Sequence, residues 1–165
     1  MIREDFSFLR KEHRKECIIA SYNINSLQSK FLEVKEWLDQ RVFDILTIQE
    51  TKIDRTYPNS QFQVENYKLY RNDRIKGGGG IIVYVRDNIA AVRKRKSGES
   101  LECILLDVYM NSRRIAILCA YKLPSVDNAT FSKELSAMFD EALSFSDTVI
   151  CTGDLNSDTC TPSAS

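Results

Sequence analysis

Apolar residues in this chain fall into two kinds of run. Short, nearly unbroken runs rich in β-branched and aromatic residues have the length of buried strands: 17–22, 43–49, 67–71, 80–86, 101–109, 114–121 and 148–152. Two longer stretches repeat every three to four residues instead. Leu27, Phe31, Val34 and Leu38, with Trp37 beside them, mark one amphipathic helix; Phe131, Leu135, Met138, Phe139 and Ala142 mark a second over 128–145. Ser26 or Ser29 is placed to cap the first helix, and Asp127 or Asn128 the second. The runs 101–109 and 114–121 read as an antiparallel hairpin turned at Met110-Asn111-Ser112-Arg113, and 54–63, with Tyr57-Pro58-Asn59-Ser60, as a loop. This irregular order predicts α/β layers around a largely antiparallel sheet, not a doubly wound parallel one. Residues 1–16 form a mixed-charge leader, peripheral and partly helical or frayed. Residues 17–156 form one body, and 157–165 a small polar tail expected to be disordered.

Three of the strand candidates end in polar side chains. Asn23-Ile24-Asn25 closes the first, Gln49-Glu50-Thr51-Lys52 the second and Gly153-Asp154-Leu155-Asn156 the last. A polar group at the mouth of a buried strand is costly unless it is bonded, so three such ends point to one shared site. Glu50 is a hard oxygen donor on a rigid support, the kind that magnesium or manganese takes. Asn23, Asn25 and Asn156 add neutral oxygens and NH groups that could hold a phosphate or a water, and Asp154 could orient or deprotonate that water. One divalent cation and an aligned water suffice for phosphodiester hydrolysis. Asn, Asp and Glu at strand ends are also turn formers and caps, so the weight rests on the set. Tyr121, followed by Lys122-Leu123-Pro124-Ser125, either points into the same mouth or packs in the core or at the rim.

Charge and composition narrow this picture. With 23 basic and 23 acidic residues there is no global field, so any attraction to nucleic acid must come from local patches. Arg71, Arg74 and Lys76 form one basic cluster. Arg93-Lys94-Arg95-Lys96 forms another, which is either a nucleic-acid or nuclear-signal patch or a solvated hairpin tip. The run Gly77-Gly78-Gly79-Gly80 precedes a strand and lacks phosphate-loop spacing; it reads as a flexible strand entry or a close backbone approach. None of the five cysteines forms a CxxC pair, which argues for reduced, mostly buried thiols and against a zinc site or disulfide framework. His13, the only histidine, sits in the charged leader, so no histidine base is expected at the strand ends. No apolar stretch reaches the roughly 18 residues of a membrane span, and there is no signal-peptide core. An intracellular address, nucleus or cytoplasm, is the expectation.

The stretches Ser21–Leu27, Asp44–Lys52, Gly78–Ile81, Ala120–Pro124 and Gly153–Asn156, in that order, resemble the endonuclease/exonuclease/phosphatase family. The Gln-Glu-Thr-Lys, Gly-rich and Tyr-x-x-Pro-Ser segments are most similar to the endonuclease domains of non-LTR retrotransposons. The resemblance implies a two-sheet β-sandwich flanked by helices, DNase I-like, with its site at one end. It implies Mg2+ (or Mn2+) on Glu50 with Asn25 beside it, Asn23 assisting at metal and phosphate, and Tyr121 at the scissile phosphate. Asp154 would activate the water and Asn156 position the phosphate, with DNA as the possible partner. Asn25 stands where many members have Asp, and Ser125 where a phosphate-contacting Asn is common. The resemblance also implies a further half ending in Ser-Asp-His, which these 165 residues do not contain. Weak or absent hydrolysis by the chain as given is therefore expected. The alternatives are a non-catalytic nucleic-acid-binding remnant or a phosphatase acting on a phosphorylated small molecule or lipid.

Overall fold

The apolar strand runs assemble into two facing four-stranded sheets in a computed structural model that describes residues 4–75, 77–95 and 101–156. The first sheet has the order β1-β2-β4-β3, from β1 (Ile19–Asn23), β2 (Ile45–Gln49), β3 (Tyr67–Asn72) and β4 (Ile81–Arg86). The second runs β5-β6-β7-β8, from β5 (Ala90–Arg95), β6 (Leu101–Met110), β7 (Arg113–Lys122) and β8 (Val149–Asp154). Four of the strand pairs are antiparallel. Two, β1 with β2 and β7 with β8, are parallel. A parallel pair cannot be closed by a tight turn and needs a crossover. Here the crossovers are the two periodic helices, α2 (Leu27–Asp39) and α4 (Asn128–Leu143).

Alternation along the strands divides the core into layers. Inward residues such as Ile45, Val83, Val85, Ile104, Leu106, Ile117 and Cys119 meet between the sheets. The opposite face of the first sheet, with Leu46, Ile48, Ile82 and Tyr84, buries the Leu27, Val34 and Leu38 stripe of α2. Leu101, Cys103, Leu105 and Leu118 on the outer face of the second sheet bury Phe131, Met138 and Ala142 of α4. Burying both faces of the sandwich explains why β2, β4 and most of β6 and β7 read as unbroken apolar runs.

Several local expectations change. Residues 93–95 are not a hairpin tip: they belong to β5, an edge strand whose partner β6 supplies the ladder that composition could not reveal. The segment 54–63 contains a short helix, α3 (Asn59–Phe62), following Pro58 and burying Phe62. Neither Ser26 nor Ser29 caps α2. The amides of Ser26 and Leu27 instead donate to the carbonyls of Glu50 and Thr51 (both 2.9 Å), and Ser26 adopts φ 103°. Asp127 does cap α4, accepting from the Thr130 amide at 2.9 Å. The leader is tied down: α1 (Ser7–Glu12) carries Arg10, whose guanidinium donates to Asp44 Oδ2 at 2.7 Å, and Phe6 packs on Trp37 and Phe43. Residues 157–165 and Cys160 lie outside the described residues. The other four cysteines are free thiols; burial pushes Cys119 up to about 11, keeping it neutral. Among the described residues no helix is long and apolar enough to cross a membrane.

Candidate active site

Register decides which residues meet. Asn23 pairs across with Gln49, and Tyr121 with Asp154, so both parallel pairs end at the same pole of the sandwich. At that pole Asn23 Nδ2 donates to Glu50 Oε1 at 3.0 Å and to Asp154 Oδ2 at 2.9 Å. The Tyr121 hydroxyl donates to the same Glu50 oxygen at 3.1 Å. Four side chains from four strand ends thus form one hydrogen-bonded group spanning both sheets. Burial first, then the Glu50 carboxylate, pushes the Tyr121 phenol up to about 12, so it is a neutral donor across the physiological range.

The remaining candidates brace this group. The Asn156 amide donates to Asp154 Oδ1 at 3.0 Å, and its side chain donates to the Lys122 carbonyl at 2.8 Å, tying the end of β8 to β7. The Asn25 amide donates to Asn23 Oδ1 at 3.2 Å, fixing which way the Asn23 carboxamide faces. The Lys52 ammonium donates to Asn25 Oδ1 and lies 3.9 Å from Glu50 Oε2. A positive centre already stands against those two oxygens. Glu50 Oε2 and Asn25 Oδ1 are hard oxygen donors of the kind that magnesium or manganese takes. Among the described residues there is no cluster of three or more His, Cys, Asp and Glu placed to hold a metal ion.

Beneath the group lies a polar seam between the sheets, in which Thr47, Gln49 and Cys119 are buried. Thr47 and Thr152 share a hydroxyl hydrogen bond of 3.0 Å, and Gln49 Nε2 donates to Ser21 Oγ at 3.2 Å and Cys119 Sγ at 3.3 Å. These residues, together with Lys52 and the buried Glu102 opposite Tyr121, were not singled out for the site from the sequence. The signal for Glu102 was available: a carboxylate on the inward parity of an apolar strand, in step with Ile104 and Leu106.

The basic residues are arranged differently. Arg71 lies on the Leu69 side of β3, away from the second sheet, donating to Asp73 at 2.7 Å and to the carbonyls of Tyr57 (2.8 Å) and Asp54 (3.1 Å), with its guanidinium over the Phe62 ring. Arg74 pairs with Glu102 at 3.5 Å. Arg93 donates to the Arg71 carbonyl at 2.6 Å. Lys94 turns to the outer face, 3.1 Å from Asp107 and over the Phe145 ring. Lys76 and the Arg95 side chain lie outside the described residues. His13, bonded to Glu16, is on the leader at the opposite pole.

The comparisons agree with this architecture. A family model described as the endonuclease/exonuclease/phosphatase family matches residues 20–163. No curated protein is significantly similar in sequence. An AP endonuclease from Archaeoglobus fulgidus superposes with a TM-score of 0.58 at 22% identity, over 86% of this chain and 58% of its own. A truncated Caenorhabditis elegans TDP2 gives 0.61 at 19%, over 84% and 61%. A Neisseria 3' phosphatase, NExo, bound to a product DNA hairpin gives 0.60 at 16%, over 82% and 56%. At these identities the likeness shows the fold, the DNase I-like sandwich. The chain spans less than two thirds of each of these structures.

Proposed function

We propose that this chain, which belongs to the endonuclease/exonuclease/phosphatase family, carries the cation- and phosphate-handling site of a metal-dependent phosphodiester hydrolase acting on DNA. The observation that carries this reading is the Asn23 carboxamide, which bridges Glu50 and Asp154 at 3.0 and 2.9 Å although 131 residues separate Asn23 from Asp154. A structural polar cluster has no need to gather two carboxylates at one mouth.

In this reading Glu50 and Asn25 hold Mg2+ (or Mn2+), which when bound polarises the phosphate. Asp154, held through both carboxylate oxygens by Asn23 and the Asn156 amide, accepts a hydrogen bond from the attacking water and takes its proton. The neutral Tyr121 phenol donates toward a phosphate oxygen, and Asn23 keeps the two carboxylates at a fixed separation. An open trough of about 500 Å³, lined by residues that include Arg55, Tyr57, Tyr70, Arg71, Asp73 and Arg93, is a candidate setting for a sugar-phosphate backbone. DNA in the Neisseria phosphatase, and the single-strand DNA product in a D. rerio TDP2, support DNA as the partner. The retrotransposon-like Gln49–Lys52 and Tyr121–Ser125 segments support nicking within a strand.

The test is Mg2+-dependent nicking of supercoiled plasmid over long incubation. We expect slow nicking that EDTA stops and Glu50→Ala removes. Mg2+-dependent nicking that Glu50→Ala leaves unchanged overturns the reading. The Lys52 ammonium, seated against Glu50 Oε2 and Asn25 Oδ1 where the cation would bind, favours a second reading, a module that binds DNA without cutting it. Salt-dependent DNA retention with no Glu50-dependent product selects that reading.

A further inference from the structure

We propose that Glu102 is a positioning residue for Glu50, acting through the glycine run 77–80; the inference rests on the site read above. Glu102 stands at the start of β6, directly across from Tyr121, on the face toward the first sheet. Its Oε2 accepts from the Gly80 amide at 2.7 Å. Among the described residues its Oε1 is buried and makes no hydrogen bond, and the Arg74 guanidinium stands 3.5 Å away. A carboxylate so poorly compensated costs stability, and Gln or an apolar residue would fit the strand more cheaply. The glycines are shaped to accept it: a Cβ on Gly79 would stand 2.4 Å from Glu102 Oε1 and 2.7 Å from Oε2.

From that contact a short chain of bonds leads to the cation-holding turn. The Gly79 carbonyl accepts from the Lys52 amide at 2.8 Å, and the Gly80 carbonyl from the Thr51 amide at 3.2 Å. The Gly77 amide donates back to the Lys52 carbonyl at 3.1 Å. Glu50 and Lys52 sit at φ 54° and 55°, a left-handed conformation that costs a non-glycine residue about 1–2 kcal/mol and persists only where its surroundings impose it. The amides of Ser26 and Leu27 grip the turn from the α2 side. Glu102, reaching from the second sheet, fixes the glycine run that grips it from the other. The direction of the Glu50 carboxylate relative to Asp154 is thus set from both sheets, with Glu102 as the second sheet's part.

The experiment uses the full chain with Glu102→Ala and Glu102→Gln, read by amide hydrogen exchange and by Mn2+ binding followed by electron paramagnetic resonance. In Glu102→Ala we expect the Thr51, Lys52 and Gly80 amides to exchange about tenfold faster or more, with Leu105 and Leu118 unchanged. Mn2+ affinity should fall about 10- to 100-fold, the usual effect of losing a residue that orients a ligand. Glu102→Gln, which retains an acceptor for Gly80, should restore both. Gly79→Ala, which crowds the carboxylate while keeping it, should reproduce the alanine pattern and serves if Glu102→Ala does not fold. Unchanged exchange at Thr51 and Lys52, a uniform rise through the sheets, or a Gln variant as impaired as Ala overturns the proposal. If Glu50→Ala leaves Mn2+ binding intact, the site reading has failed, while the exchange measurement still judges the clamp.

Discussion

The two parallel strand pairs place their carboxylates by different means. In the first pair, β1 and β2 end in Asn23 and Gln49, and Glu50 follows in a left-handed turn outside the ladder. In the second, β7 and β8 end with Tyr121 opposite Asp154, and the carboxylate is still within the strand. Glu50 is therefore located by loops, the α2 entry on one side and the glycine run on the other. Asp154 is located by strand register, with Asn156 bonded to the Lys122 carbonyl as its lock. The side-chain bonds then cross between the pairs: Tyr121 donates to Glu50, and Asn23 donates to Asp154. The contrast teaches that a strand-borne group tolerates little backbone change nearby, whereas a loop-borne group depends on whichever neighbours hold its turn.

Substitutions can break that contrast. The largest effect is expected at Gly153, at φ 129°, where a Cβ would stand 1.8 Å from the Ala120 carbonyl oxygen, a backbone atom that cannot yield. Gly153→Ala should cost about 3 kcal/mol or more in urea unfolding, combining overpacking with left-handed strain. Gly80→Ala should cost about 1–2 kcal/mol, chiefly from its φ of 90°, because there the crowded atom is the Thr51 hydroxyl, which can rotate. Comparable losses at the two glycines would erase the distinction. Asn23→Asp replaces the shared donor with a third carboxylate. It should lower stability without cation by about 1–3 kcal/mol, with recovery in millimolar Mg2+ on thermal unfolding. No recovery would count against a cation at this mouth.

The two crossover helices sharpen the comparison on a smaller scale. Asp127→Ala removes a side-chain cap and should cost about 1 kcal/mol, while Ser26→Ala should stay within about 0.5 kcal/mol because carbonyls of another loop meet those amides. The smallest effect concerns acid. Arg114, bonded to Asp107, and Lys94 beside it hold that carboxyl down to about 2. Its contribution is present above the ordinary carboxylate pKa of about 4 and is lost as pH falls toward 2, so Asp107→Asn should flatten that limb of an acid titration of stability. Arg114 is half-exposed, and screening keeps the effect small.

Much of the architecture was legible in the chain. The stripes of α2 and α4 and the runs behind β2, β4, β6 and β7 appear where periodicity places them. The polar strand ends were visible for the same reason: Asn23, Glu50 and Asp154 each interrupt or close an apolar run. What was hidden depended on partners. β5 is too charged to be recognised without β6 beside it, and the amides at the start of α2 are satisfied by a loop more than twenty residues away. The partners of the cations were hidden as well: Arg71 donates to Asp73 and two carbonyls, and Lys94 pairs with Asp107.

Periodicity and burial are properties of neighbouring residues, so the sequence by itself determined which segments are strands and helices, which faces are apolar and which ends are polar. Long-range registration is not local. Only the tertiary structure decided that four strand ends from opposite sheets share one amide bridge, that Arg71, Arg93 and Lys94 are tied within the body, and that Glu102 reaches across to Gly80. The physical reason is that each of those contacts joins residues that are far apart along the chain and close together only once both sheets have formed.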